Sequence, residues 1–181
     1  MLEKDTKKLQ ENYYQVMDSF DNKRPGRILI LGIGNYLMGD EGVGVHSIHT
    51  LSKMKLPEYV DIIDGATGSF ELIPVLSAYE KVIMIDATMD EKPPGSISVL
   101  YPRFASDFPV ALSSHDIGLK DLFDALEFKE EMPRLILITV TIKNMLTMSI
   151  ELSEDVEKAL PSVAQKAIEL AEKIHTGKLL N

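Results

Sequence analysis

The chain has 181 residues, 45% of them hydrophobic and 26% charged, with a net charge of -9 and no cysteine. That length fits one domain with a sizeable core rather than two. The acidic balance argues against a nucleic-acid backbone as partner, and the missing thiols exclude disulfides, thiolate metal sites and cysteine nucleophiles.

In chain order, the spacing of Leu9, Tyr13, Val16, Met17 and Phe20 predicts a helix over 4–20. DNKRPG at 21–26 reads as a turn, so residues 1–25 are expected to form an N-terminal helical extension. The extension either docks on the main fold or serves a partner. Residues 26–181 are expected to form a single α/β domain. RILILGI at 27–33 is a continuous apolar run, as in a strand buried on both faces. A Gly-rich turn and a helix over 41–54 follow, then a second strand at 59–64 and a short helix at 69–78. KVIMID at 81–86 reads as the third strand and 96–101 as the fourth. A helix over 115–127, a fifth strand at 134–140 and a last helix over 153–175 complete the series. Leu160, Val163, Ala167, Leu170 and Ile174 fall on the inner side of that last helix.

Alternating strands and helices predict a three-layer α/β/α sandwich around a mostly parallel sheet of about five strands. Strands three and four lie too close in sequence for a crossover helix, so strand four is expected to be antiparallel and near an edge. No run is long and apolar enough to span a membrane, and the polar N-terminus lacks a secretory stretch. The expectation is a cytoplasmic protein with neither a membrane nor a nucleic acid as partner; a monomer is compatible with the chain.

In an open parallel sheet, ligands bind beyond the carboxyl ends of the strands. Asn35, Asp40 and Glu41 follow strand one, Asp64 ends strand two, Asp86 ends strand three, and His115 opens the following helix. Glu41, Asp86 and His115 together offer two carboxylates and an imidazole, a donor set suited to zinc or nickel that leaves positions for water or a partner's group. Ser113 or Ser114 can cap the helix of His115, and a helix N-terminus disfavours an imidazolium. Each residue also has a plainer reading. Asp40 and Glu41 suit a first helical turn, Asp86 can cap a turn, and Asp64 before Gly65 suits an Asx turn. Their shared edge is the argument for a site. His46 and His49 share a helix face, which is expected to carry them away from that edge. His175 reads as solvated.

GIGNYLMG at 32–39 lacks the third glycine of a dinucleotide fingerprint, because Leu37 stands there. The acids at 40 and 41 would repel a pyrophosphate. The glycines fit a tight strand-to-helix turn instead, and no G-x-S-x-G elbow is present.

LGIGNYLMGDEGVGV at 31–45 resembles the opening motif of the nickel-iron hydrogenase maturation endopeptidases, G-[IV]-G-N-x-L-x-x-D-[DE]-x-x-G-V, at every fixed position. Asp64-Gly65, Ile85-Asp86-Ala87 and Ser114-His115-Asp116-Ile117-Gly118-Leu119 match later landmarks, so the resemblance spans about 27–160. It implies an endopeptidase that removes a C-terminal peptide from the nickel-loaded precursor of a hydrogenase large subunit. Glu41, Asp86 and His115 would then contact a divalent metal, the nickel presented by the substrate, for which zinc or cadmium could substitute in vitro. Asp64 would be the catalytic group, a general base on water. The chain departs from the family at Gly65-Ala66-Thr67-Gly68, usually Gly-Gly-Thr, and at Ile142-Lys143-Asn144-Met145, where many members carry Pro-Glu. These departures bear on loop geometry and substrate choice. A metal-binding chaperone that does not cleave and a nucleotide-binding α/β module are the rival classes.

Overall fold

The computed structural model describes residues 23–68, 70–104, 107, 116–143 and 148–180. The helix expected over 4–20 lies outside them. Five strands form one sheet: β1 (Ile28–Gly32), β2 (Val60–Asp64), β3 (Lys81–Thr88), β4 (Ile97–Leu100) and β5 (Arg134–Thr141), in the order β2-β1-β3-β5-β4. Four strands are parallel. β4 pairs antiparallel with β5 at the edge, as the short β3–β4 connection requires.

The helices are α1 (Val43–Leu51), α2 (Ile73–Ser77), α3 (Asp116–Phe128) and α4 (Glu154–His175), with 3₁₀ turns at Gly39–Gly42 and Phe70–Leu72. Strand residues alternate between two apolar layers, because successive side chains leave a strand on opposite faces. Ile28, Ile30, Ile83, Ile85, Ile136 and Ile138 pack with Ile48 and Leu51 of α1 and with Val163, Ala167 and Leu170 of α4. Leu29, Leu31, Val82, Met84, Leu135 and Leu137 pack with Val75 and Leu76 of α2 and with Leu122, Phe123 and Leu126 of α3. The inner stripe of α4 matches the heptad-like spacing read from the sequence, with Leu160 partly buried at its margin.

The order β2-β1-β3 makes the chain wind one way from β1 to β2 and the other way to β3. The carboxyl ends of β1 and β3 therefore diverge at a topological switch point, where such sheets place their ligands. Two long-range ties close this end. Met38 and Ser149 form an isolated parallel bridge, with the Gly39 amide donating to the Ser149 carbonyl at 2.6 Å and the Ser149 amide to the Leu37 carbonyl at 3.0 Å. The opposite end is locked by Asp61. It accepts a fork of bonds from Arg27 Nε (2.6 Å) and Nη2 (2.5 Å) and one from the Tyr79 hydroxyl (2.9 Å), with Arg24 at 3.5 Å.

Candidate active site

The turn after β1 is shaped by its glycines. Gly34 has φ +140°, and a Cβ there would run into the carbonyl oxygen of Glu41. A Cβ on Gly44 would strike the carbonyl oxygens of Ile33 and Ile85. The start of α1 is thus pressed onto β1 and β3, and the 3₁₀ turn Gly39–Gly42 lies against β3. Backbone contact this close is a role only glycine fills.

That turn sends its two acids in different directions. Asp40 is tied to the start of α4: its Oδ1 accepts the Ser153 amide at 2.6 Å and its Oδ2 the Ser153 hydroxyl at 2.8 Å. Glu41 turns inward and is only 1% exposed. Across the switch point, Asp86 is 0% exposed, and its Oδ1 accepts the Ala87 amide at 2.7 Å. The sequence placed Asp86 at the end of β3, yet β3 continues to Thr88 because β5 pairs with it residue for residue, from Asp86↔Thr139 to Thr88↔Thr141. Asp86 is therefore embedded in the sheet among buried Thr88, Thr139 and Thr141 rather than standing on a loop. Carrying carboxylates into the interior is costly unless cations or donors compensate them, and such groups concentrate at functional sites.

Asp64 ends β2, beside β1. Its Oδ1 accepts the Ala66 amide at 2.9 Å, an Asx turn that accommodates Ala66 at φ 46°. Burial pushes the Asp64 carboxyl above the usual carboxylate range, against the opposing effects of the Ala66 amide and of His49. A raised carboxyl pKa suits a general base better than that of a solvated aspartate.

His115, the expected third member of the metal set, lies outside the described residues, as do Ser113 and Ser114. Among the described residues no three His, Asp or Glu side chains are grouped as a metal site. What the sheet brings to one edge is Glu41, Asp86 and Asp64; α3, which follows His115, begins at Asp116.

One expectation is corrected here. His46 and His49 were expected to leave this edge on their helix. Instead His49 Nε2 lies 3.9 Å from Asp64 Oδ2. Tyr36, from the turn after β1, stacks on His46 with ring centroids 4.7 Å apart and an interplanar angle of 23°. Burial lowers the His46 pKa below the usual imidazole value, and His49 lowers it further. The i, i+3 spacing marked the shared face of the two imidazoles; the rotation of α1 that turns this face toward β2 carries no sequence signal. His175, read as solvated, is exposed but stacked flat on Tyr59 at 3.8 Å.

The chain matches the family model described as hydrogenase maturation protease (HycI) over residues 45–170. It is 34% identical over 145 residues to the hydrogenase 2 maturation protease of Escherichia coli (strain K12), covering 78% of this chain and 88% of that one. To the hydrogenase expression/formation protein HupD of Rhizobium leguminosarum bv. viciae it is 30% identical over 146 residues, covering 78% and 72%. Among solved structures, the hydrogenase maturating endopeptidase HybD from E. coli superposes with a TM-score of 0.73 at 32% identity, covering 81% of this chain and 93% of that one.

Proposed function

The chain belongs to the hydrogenase maturation protease family, and from that premise we propose that it is the endopeptidase that trims a C-terminal peptide from the nickel-loaded precursor of a nickel-iron hydrogenase large subunit. The observation that carries the reading is the pair of buried carboxylates, Glu41 and Asp86, delivered from β1 and β3 to the switch point. Carboxylate oxygen with imidazole nitrogen suits a divalent first-row cation. The substrate's nickel would supply the cation, with Glu41, Asp86 and His115 completing its shell and so fixing the adjacent peptide bond. Holding the bond in place contributes much of the rate by proximity. Asp64, on the neighbouring strand, would take a proton from the attacking water.

The rim of this edge supports a protein substrate. Leu37 (58% exposed), Phe70, Met89, Met148 (83%) and Ile150 stand exposed in the segments that follow β1, β2, β3 and β5. Large apolar groups collected around a polar site mark a surface that another protein covers. None of the described helices is long and apolar enough to cross a membrane.

The test is incubation with nickel-loaded and nickel-free precursor, followed by intact-mass measurement of the large subunit. Loss of a C-terminal peptide from the loaded form alone is the expected result, abolished by Glu41→Gln. Equal cleavage of both forms would overturn the metal-recognition role. Complex formation without cleavage would make the protein a chaperone instead.

A further inference from the structure

Asp64 is held at one oxygen and faced by an imidazole at the other. Oδ1 is fixed by the Ala66 amide at 2.9 Å, while Oδ2 points to His49 Nε2 at 3.9 Å, with side chains 29% and 26% exposed. That separation exceeds a hydrogen bond. It is short enough for a side-chain rotation to close or for one water to bridge.

The imidazole is itself braced. His49 lies in the last turn of α1, with Tyr36 tilted against it at 5.7 Å and His46 edge-on at 6.4 Å. Tyr36 also stacks on His46, so one aromatic ring from the Glu41-bearing turn steadies both histidines. The groups facing the Asp64–His49 pair among the described residues are Tyr36, His46 and the Ala66 amide, with Asp40 acting on His46.

We propose that His49 is a positioning residue for the peptidase reaction, holding Asp64 Oδ2 where it takes the proton of the attacking water. The inference rests on the reading of Asp64 as general base. In that reaction the water oxygen bonds to the carbonyl carbon, the C–N bond breaks, and the proton taken by Asp64 passes to the departing amine. His49 contributes orientation and, when protonated, a charge that favours the carboxylate over the acid. Burial raises the Asp64 carboxyl and His49 opposes that rise. Removing His49 therefore leaves Asp64 protonated up to a higher pH.

The experiment is the pH dependence of kcat and KM for cleavage of the nickel-loaded precursor by the full chain and by His49→Gln, His49→Lys and Asp64→Asn. His49→Gln is expected to lower kcat about tenfold with KM little changed. Its acid limb should move to higher pH, and His49→Lys, which restores a cation, should move the limb back. Thermal melts of both His49 variants separate loss of fold from loss of orientation. An acid limb unmoved in His49→Gln, whatever its kcat, overturns the positioning role while leaving Asp64 in place if Asp64→Asn is inactive. Full activity in Asp64→Asn overturns the general base itself and this inference with it.

Discussion

The carboxylate of Asp40 clasps Ser153, accepting both its amide and its hydroxyl across 113 residues of sequence. Adjacent acids in one turn thus have separate duties: Asp40 fastens the turn to the first residues of α4, and Glu41 enters the interior. Replacing them should separate stability from activity. Asp40→Ala removes a helix-start acceptor and should cost about 1 kcal/mol in urea denaturation, with cleavage reduced only modestly. Glu41→Gln should leave the urea midpoint nearly unchanged while precursor cleavage falls by roughly a hundredfold or more. Equal loss of cleavage in both variants would contradict this division.

Asp61 ties the lower ends of β1, β2 and β3 together through Arg27, Arg24 and Tyr79. Burial alone would raise its carboxyl pKa, but the bonds from Arg27 and Tyr79 and the charges of the two arginines outweigh it and hold the group below the usual carboxylate range. A depressed folded-state pKa adds stability that is present above the unfolded value, roughly 3.9, and is lost as pH falls through the folded value. Asp61→Asn should cost about 1–3 kcal/mol near neutrality. The gap between wild type and variant in denaturant titrations should narrow once pH drops below about 4. A gap independent of pH would mean that packing, not charge, is what the pair supplies.

The apolar rim should act on binding rather than on chemistry. Leu37→Ser combined with Met148→Ser removes exposed apolar area in the segments that follow β1 and β5. KM for the precursor should rise by about tenfold with kcat unchanged, the pattern of lost uniform binding. A fall in kcat at constant KM would place these residues in the reaction instead.

Gly34→Ala carries two penalties, a left-handed φ and a collision with the Glu41 carbonyl. A loss of about 2 kcal/mol or more is expected, read as a lowered melting temperature. Cleavage should fall with it, because relief of the collision displaces Glu41.

Much of this architecture was legible in the sequence because its signals are local. Continuous apolar runs marked the buried parallel strands, and the inner stripe of α4 followed from its spacing. That Glu41, Asp64 and Asp86 fall at or after the ends of the first three strands was read from the apolar runs and the acids that follow them. Three features were not legible, since each depends on a distant partner. β3 runs past Asp86 only because β5 continues beside it. The helix expected from residue 41 is a 3₁₀ turn followed by α1 from Val43, the turn being held by Ser149 and Ser153 from the far end of the chain. His49 meets Asp64 only through the rotation at which α1 seats on the sheet, which Gly44 sets by its contact with Ile33 and Ile85.

The bridge between Met38 and Ser149 also bears on when the site comes into being. Its two strands of backbone lie far apart along the chain, so joining them closes a long loop, and such contacts form late. During synthesis the first three strands emerge well before residue 149, with the segment bearing Glu41 still lacking its clasp. The nascent protein would thus acquire a sheet before it acquires a working edge. Chains ending before residue 149 should be cut by added protease between about residues 35 and 42, and chains that include the bridge and α4 should resist there. This edge would then be complete only after residue 149 and the start of α4 have been made.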